Sequence, residues 1–320
     1  MKEDAFIAKD LTRCPVCLGQ RLLLRKKLSK RFSFFQCANC NSFVRTPQDH
    51  FSGQDQANLY SDFQDRAKNL LFARIAKKRF DLVRRYVENG KLLEIGCATG
   101  EFTKVASLCG FDVLGIDTSS NYIKFAKEQG LNVKLGSVED VQLGTIKFDA
   151  IAAFHLLEHL SDPRRFLQSL SRLVKANGFI FIITPNLDSF TDRLFGWHHP
   201  KYLQQDHVII YSKDGMQKFF SDSGFEVSEI YSEEYPHHLF TSLFGLIKYL
   251  TKRKEINPNS NNKYNGKKGL NIKNNLKCIV NNLPYLLGYL FFPLSYFYRK
   301  VIAKKIKGHE LVVIAKYVGK

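Results

Sequence analysis

Between residues 91 and 185, short apolar runs alternate with amphipathic stretches of helical length, and this alternation constrains the fold more than any other feature. KLLEI, FDVLGID, LNVKLGS, FDAIAAF and FIFIITPN read as strands, while EFTKVASLCG, SSNYIKFAKEQG and DPRRFLQSLSRLVKANG read as helices. Upstream, residues 67–88 place Leu71, Ile75, Phe80, Leu82 and Val83 at largely helical spacing, and Asn89-Gly90 stops that helix. Downstream, FEVSEIY and HELVVIAKYV read as two more strands. Strands alternating with helices of this size imply repeated βαβ units and a parallel sheet covered on both faces. Strands that are apolar nearly throughout fit that placement. The expected fold is α/β: a doubly wound, mostly parallel sheet of seven strands.

The first strand runs into a glycine-bearing turn, Gly96-Cys97-Ala98-Thr99-Gly100, which opens a helix. Glycine serves where the backbone turns sharply or where a ligand must come close. Asp117 ends the next strand, 21 residues after Gly96, where a carboxylate can accept both hydroxyls of a ribose. Glu94-Ile95-Gly96-Cys97-Ala98-Thr99-Gly100 resembles the first motif of the class I S-adenosylmethionine-dependent methyltransferases, E/D-x-G-x-G-x-G, with Ala98 in place of a glycine. The resemblance covers roughly residues 67–234 and the final strand. It is most specific over FDAIAAFHLLEHLSDPRRFLQSLSRLVKANGFIFIITPN, which is similar to the branch of ubiquinone-pathway O-methyltransferases and of methyltransferases of sugars and natural products. It implies a Rossmann-like fold with S-adenosylmethionine as cofactor. By the resemblance Glu94 helps hold the methionine amino group and Asp117, with Thr118 beside it, the ribose. Gly96, Cys97, Ala98 and Gly100 form the turn, Ser137, Val138 and Glu139 line the adenine slot, and Phe154 lies beside the methionine moiety. Many relatives carry an acid where Ser137 stands.

His155-Leu156-Leu157-Glu158-His159 also matches H-x-x-E-H, a zinc-protease pattern. That chemistry needs both histidines on one face of a rigid helix. Here the pattern follows a buried strand, and Asp162-Pro163 starts a new helix directly after it, with Asp162 as N-cap and Pro163 as first helical residue. Pro163 also disfavours helical backbone at Asp162, so the protease reading fails. In a parallel sheet, ligands bind at the carboxyl ends of the strands, which puts His155, Glu158 and His159 at the cofactor rim. Transfer to a hydroxyl needs a group that takes its proton, and histidine serves near neutral pH. The candidates are His159 and His155, together with His199 and His207 from GWHHPKYLQQDHVIIYSKDG, a polar segment that also holds His198, Asp206, Tyr211 and the single Trp197. The alternative is that Glu158 and His159 only brace the loop.

Cys14-Pro15-Val16-Cys17 and Cys37-Ala38-Asn39-Cys40 are separated by 19 residues, a structural zinc spacing with a hairpin between two knuckles. Four thiolates close a tetrahedral shell with no position left for water. Cys97, Cys109 and Cys278 read as ordinary small apolar residues.

The net charge of +18 is uneven. Residues 1–50 hold ten Lys/Arg against four Asp/Glu, and residues 241–320 hold sixteen against two, whereas the stretch between is near neutral. Such arms speak of an anionic partner. About 75 residues separate the last two strands: HHLFTSLFGLIKYL, an Asn/Lys/Gly-rich linker, and the aromatic LPYLLGYLFFPLSYFY ahead of Arg299, Lys300, Lys304, Lys305 and Lys307. Aromatics beside a basic cluster describe an element in a membrane interface; a pair of helices over the acceptor pocket is the other reading. The expected organisation is a zinc-ribbon-like module over 1–50, a methyltransferase core over 51–234, a helical basic insertion with a flexible linker over 235–308, and the last core strand over 309–320. No secretory signal or 18-residue apolar run is apparent, so the expected address is the cytoplasm, with peripheral attachment at the inner face of the membrane. The expected acceptor is a hydroxyl of a sugar, glycan precursor or other small or lipid-linked molecule. An RNA methyltransferase is the first rival, against which FHLLEH stands where exocyclic-amine enzymes carry Asn/Asp-Pro-Pro-aromatic, and no RNA-recognition signature is present. A non-catalytic scaffold is the second.

Overall fold

The structure is a computed structural model that describes residues 11–28, 32–46, 66–204, 206–235 and 307–319, with residues 238, 240, 242, 243, 283 and 287. The strands are β1 Leu22–Lys27, β2 Ser33–Cys37, β3 Phe43–Thr46, β4 Lys91–Ile95, β5 Asp112–Asp117, β6 Val133–Leu135, β7 Phe148–Phe154, β8 Val174–Pro185, β9 Ile209–Ile210, β10 Phe225–Glu233 and β11 Glu310–Tyr317. The helices are α1 Arg66–Arg84, α2 Glu101–Leu108, α3 Ser120–Glu128, α4 Pro163–Leu173, α5 Phe190–Phe195, α6 Pro200–Leu203 and α7 Lys213–Ser221.

Seven strands form one sheet in the order β10-β11-β8-β7-β4-β5-β6, with β11 antiparallel to both neighbours. Because side chains alternate across a strand, successive core residues go to opposite faces. Leu93, Ile95, Ile151, Ala153, Ile180 and Ile182 pack with Phe166 and Leu170 of α4 and Phe219 of α7. Leu92, Ala150, Ala152, Phe181 and Ile183 pack on the other side with Phe80 and Val83 of α1 and Phe102 of α2. The alternation read from the sequence is thus the doubly wound sheet.

Some local expectations are corrected. The helix after Asp162 ends at Leu173 instead of running to Gly178, because Val174, 2% exposed, leaves the helix with extended backbone and pairs with Phe148 of β7. β-Branched residues favour that conformation. Cys109, expected as an ordinary small apolar residue, is exposed at the end of α2; Cys278 lies outside the described residues.

A second sheet has the order β1-β2-β3-β9, antiparallel throughout. β1 and β2 are the hairpin expected between the cysteine pairs. β9 comes from the segment after β8, so a strand from the core closes the cysteine hairpin's sheet. Its two residues carried too little pattern to be read as a strand.

The basic, aromatic insertion expected over 235–308 lies almost wholly outside the described residues, and so does its proposed membrane element. Among the described residues no helix is long and apolar enough to cross a membrane.

Candidate active site

At the carboxyl end of β4 the chain turns at Gly96 and Gly100, with φ of 75° and 84°, and Ala98 between them also takes a left-handed φ of 45°. A Cβ on Gly100 would lie 2.4 Å from Leu131 Cδ1, the movable end of a side chain, so it is the left-handed φ that calls for glycine there. The turn is clamped by Asp117, whose Oδ2 accepts the Ala98 N–H at 2.9 Å and whose Oδ1 accepts the Ser119 N–H at 2.8 Å. Gly136 N–H donates to the Asp117 carbonyl at 2.9 Å, which brings the Ser137 turn alongside. Val138 is buried, Ser137 Oγ donates to Asp140 Oδ2 at 2.7 Å, and Glu139 and Thr118 are exposed. Cys97 is buried under the turn.

Glu94 is buried, and its Oε2 accepts both the Thr103 N–H at 3.0 Å and the Thr103 hydroxyl at 2.5 Å. Burial pushes its carboxyl up to about 8, against the Thr103 bonds and the charge of Arg79, which lower it. Arg79 of α1 places its guanidinium 4.9 Å from the centre of the Phe154 ring, and Phe102 meets that ring edge-on at 5.0 Å. Among the described residues Arg79 Nε is buried with no hydrogen-bond partner. An acid that accepts cations, a guanidinium with an unused N–H and a carboxylate at the end of the adjacent strand make a cradle for a zwitterion attached to a ribose. These residues fit S-adenosylmethionine.

The rim beyond β7 contains His155, Glu158 and His159. His155 has a φ of 53° and donates its N–H to Ile183 O at 2.7 Å, after which Leu157–His159 form one 3-10 turn. Asp162 caps α4 by accepting the Arg165 N–H at 3.1 Å. His155 Nε2 lies 2.9 Å from Glu310 Oε1 and its Nδ1 3.3 Å from Glu158 Oε1. Glu158 is fully buried and accepts the Thr184 hydroxyl at 3.0 Å. Burial opposes its charge, but His155 and the nearby His159 and His207 outweigh burial and hold the carboxyl down to about 2.

His159 Nδ1 lies 3.0 Å from the Asp206 carbonyl oxygen and 3.5 Å from the Asp206 carboxylate. A carbonyl only accepts, so Nδ1 carries the proton and Nε2 of the neutral ring keeps its lone pair. His207 Nδ1 faces the Lys201 carbonyl at 3.1 Å in the same way, and the two rings meet edge to face at 4.9 Å. Burial, with the charge of His159, brings His207 down to about 4. Glu158, His159 and His207 bring a carboxylate oxygen and two ring nitrogens within 4.8 Å of one another.

His199 is turned inward. Its Nδ1 accepts the Lys201 N–H at 3.2 Å, so Nε2 carries the proton and donates to Ser242 Oγ at 3.2 Å. Burial, with the charge of Lys201, brings its ring down to about 2. Both nitrogens are occupied, which leaves no lone pair for an acceptor's proton.

The four N-terminal cysteines converge as their spacing predicts. Cys14 and Cys40 sulfurs are 3.7 Å apart, Cys17 and Cys37 sulfurs 3.5 Å, and all four lie within 4.8 Å. Arg79, Thr103, Thr184 and Glu310 were not singled out in the sequence. The first two sit mid-helix or at a helix start, and Glu310 follows the long insertion, so only the fold reveals that they share the site.

The chain matches the family model described as methyltransferase domain over residues 65–230. It is 28% identical over 121 residues to an uncharacterized protein of Methanocaldococcus jannaschii, covering 38% of this chain and 57% of that one. It is 35% identical over 121 residues to the ubiquinone biosynthesis O-methyltransferase of Caulobacter vibrioides, covering 35% of this chain and 48% of that one. The chain therefore spans about half the length of the curated relatives it matches. Among solved structures, a chain from the complex of the Haloferax volcanii Trm112 methyltransferase activator aligns with a TM-score of 0.51 at 14% identity, over 84% of this chain and 99% of that one, a likeness of fold. The sheet order, the clamped glycine turn and the match over more than half its length establish that the chain belongs to the methyltransferase-domain family, with the core of a class I S-adenosylmethionine-dependent methyltransferase.

Proposed function

We propose that the protein transfers a methyl group from S-adenosylmethionine to a hydroxyl of a sugar, a glycan precursor or another small or lipid-linked molecule. The observation that carries this reading is the set of Glu94, Arg79 and Asp117 around one clamped turn. When bound, S-adenosylmethionine supplies an electrophilic methyl group on a sulfonium. Asp117 accepts the ribose hydroxyls on lone pairs not used by Ala98 and Ser119. Glu94 takes the amino group and Arg79 Nε the carboxylate of the methionine end. Val138, with Ser137 and Glu139, borders the adenine, and Phe154 walls the methionine side.

His159 is the proposed base. Its Nε2 would take the acceptor's hydroxyl proton as the new O–C bond forms and the sulfonium S–C bond breaks, with S-adenosylhomocysteine as the neutral leaving group, while Nδ1–H stays on the Asp206 carbonyl. The Asp206 carboxylate then faces an imidazolium, and that charge pair favours the product of proton transfer. His207 shapes the same rim. The relatives named as O-methyltransferases support oxygen as the atom methylated.

The proposal includes a structural Zn²⁺ on Cys14, Cys17, Cys37 and Cys40. Zn–S bonds of about 2.3 Å in a tetrahedron place the sulfurs about 3.8 Å apart, close to the separations of the two thiol pairs. It also includes docking of the basic insertion on an anionic membrane surface, which vesicle flotation of the full chain against one lacking residues 253–307 tests.

The deciding experiment is a calorimetric titration with S-adenosylmethionine, with Asp117→Ala as control. Saturable binding that the substitution abolishes supports the enzyme. Absence of heat from folded, zinc-loaded protein sinks it in favour of a non-catalytic scaffold.

A further inference from the structure

The first residue of β11 meets the rim. Glu310 is 2% exposed and stands in register with Pro185 of β8 and Glu233 of β10. Among the described residues, one of its oxygens gathers its three cationic neighbours. Oε1 lies 2.9 Å from His155 Nε2, 3.4 Å from His238 Nε2 and 3.6 Å from Arg79 Nη2, while Oε2 is buried with no hydrogen-bond partner among the described residues. His155 is the only one of the three that is also part of the turn after β7.

Both nitrogens of the His155 ring point at carboxylates, Nε2 at Glu310 and Nδ1 at Glu158. A neutral imidazole carries one N–H, which Glu310 takes; the imidazolium holds Glu310 through Nε2–H and faces Glu158 Oε1 as an ion pair at 3.3 Å, with no hydrogen bond to that oxygen among the described residues. His155 therefore has no lone pair to offer an acceptor, and its ring acts as a cationic tie between β11 and the 3-10 turn. The tie is placed where the backbone needs one, since His155 holds a φ of 53° that a residue with a side chain adopts only under constraint. Three residues on, the Glu158 carbonyl accepts the Val208 N–H at 2.8 Å, and His159 begins its bond to Asp206.

We propose that Glu310 is a positioning residue for methyl transfer: through His155 it fixes the turn that presents Glu158 and His159. This rests on the reading of the rim as the transfer site. The groups facing His155 are Glu158 from the turn, Glu310 from β11 and Arg79 from α1, with His159 and His207 beyond Glu158. Burial disfavours the imidazolium, but Glu310 and Glu158 outweigh burial and Arg79 and raise its pKa. Removing the charge of Glu310 leaves Arg79 and burial opposed by Glu158 alone.

The test is imidazole ¹⁵N NMR across the neutral range on the full, zinc-loaded chain as wild type, Glu310→Gln and Glu310→Asp. In the wild type both His155 nitrogens remain protonated at a pH where a free imidazole has lost one proton. In Glu310→Gln the His155 midpoint falls, and the His159 ring resonances move with it. Glu310→Asp restores the charge with a shorter reach, so His155 stays protonated but its Nε2–H exchanges faster with water. A His155 midpoint unchanged by Glu310→Gln overturns the proposal. Should that variant fail to fold, Nε2–H exchange in Glu310→Asp equal to wild type overturns it. Calorimetry on the wild type, run separately, decides the methyltransferase reading: a chain that binds no cofactor refutes that reading while the NMR still decides the hold of Glu310 on His155.

Discussion

The backbone N–H of Val208 donates to the carbonyl oxygen of Glu158 at 2.8 Å, and together with the His159–Asp206 and Tyr211–Leu157 bonds it joins the turn after β7 to the segment around β9. The carbonyl of Val208 in turn accepts the Arg45 N–H at 2.8 Å, just before β9 pairs with β3 of the cysteine hairpin. Two residues past β9, Ser212 accepts the Gly215 N–H at 2.9 Å as the N-cap of α7, and its hydroxyl donates to the Cys40 carbonyl. The cysteine cluster, the rim and α7 are thus braced through one short strand. Removing the proposed zinc by chelation, or substituting Cys40→Ser, is expected to speed amide exchange at Val208, Ile209 and Ile210 and to lower Tm. Cofactor affinity should hold, because Glu94 and Asp117 lie on β4 and β5. Exchange that speeds up only within residues 11–46 would show that the brace is not transmitted.

Glu94 gives a prediction about protons. With its carboxyl raised to about 8 by burial, it is largely protonated at pH 7 in the free protein. The ammonium of the cofactor favours the ionised form, so binding near pH 7 should release a proton, and affinity should rise as pH rises toward 8. The calorimetric heat at pH 7 should then differ between buffers of high and low ionisation enthalpy, and Glu94→Gln should remove the difference. In the free protein the native state holds the extra proton between the ordinary carboxylate range and pH 8. Stability from this group is full below about 4.5 and is lost as pH rises through about 8, a slope that Glu94→Gln should flatten. Identical heats in both buffers would refute the assignment.

The two histidine pairs are expected to separate by what their loss does. His159→Gln removes the free Nε2 and should lower turnover by about 10²–10⁴-fold with cofactor affinity intact. His199→Ala instead unpairs the Lys201 N–H and Ser242, both buried, and should cost about 1–3 kcal/mol of stability with turnover per folded molecule little changed. A His199 variant that folds with normal Tm but loses turnover would transfer the base role away from His159.

What the sequence made legible follows from how local each signal is. The order Glu94, Gly96, Gly100, Asp117 lies within one βαβ unit, so the glycine turn and Asp117 were legible from spacing, while the role of Glu94 came from the motif's resemblance to the family. The cysteine pairs were legible because each knuckle is a four-residue motif. Arg79 was hidden because an arginine among the many cations of α1 looks like a solvated face until Phe154 and Glu94 are seen beside it. Glu310 was hidden by the insertion, which separates it by 155 positions from the histidine it holds. The pairing of β3 with β9 was invisible for the same reason: a two-residue strand has no period, and its partner lies far upstream. His155, His159, His199 and His207 were equivalent in the sequence, and only their Nδ1 and Nε2 partners separate the ring between two carboxylates, the ring with a free Nε2 proposed as base, and the ring turned inward.

The last prediction concerns Ala98, the residue that departs from the glycine pattern. Its φ of 45° is left-handed, a conformation that costs a residue with a Cβ about 1–2 kcal/mol, whereas glycine adopts it freely. Glycine also loses more chain entropy on folding, about 0.5–1 kcal/mol, which offsets part of the gain. Ala98→Gly should therefore leave Tm unchanged or raise it by a few degrees, with cofactor affinity equal or tighter, since the bond that matters is the backbone N–H to Asp117 at 2.9 Å. Gly100→Ala is the opposing control: its φ of 84° strains any residue with a Cβ, so stability and affinity should both fall. Thermal melts with and without S-adenosylhomocysteine read both variants together. A lower Tm for Ala98→Gly would mean that the alanine methyl contributes packing worth more than the strain its backbone carries.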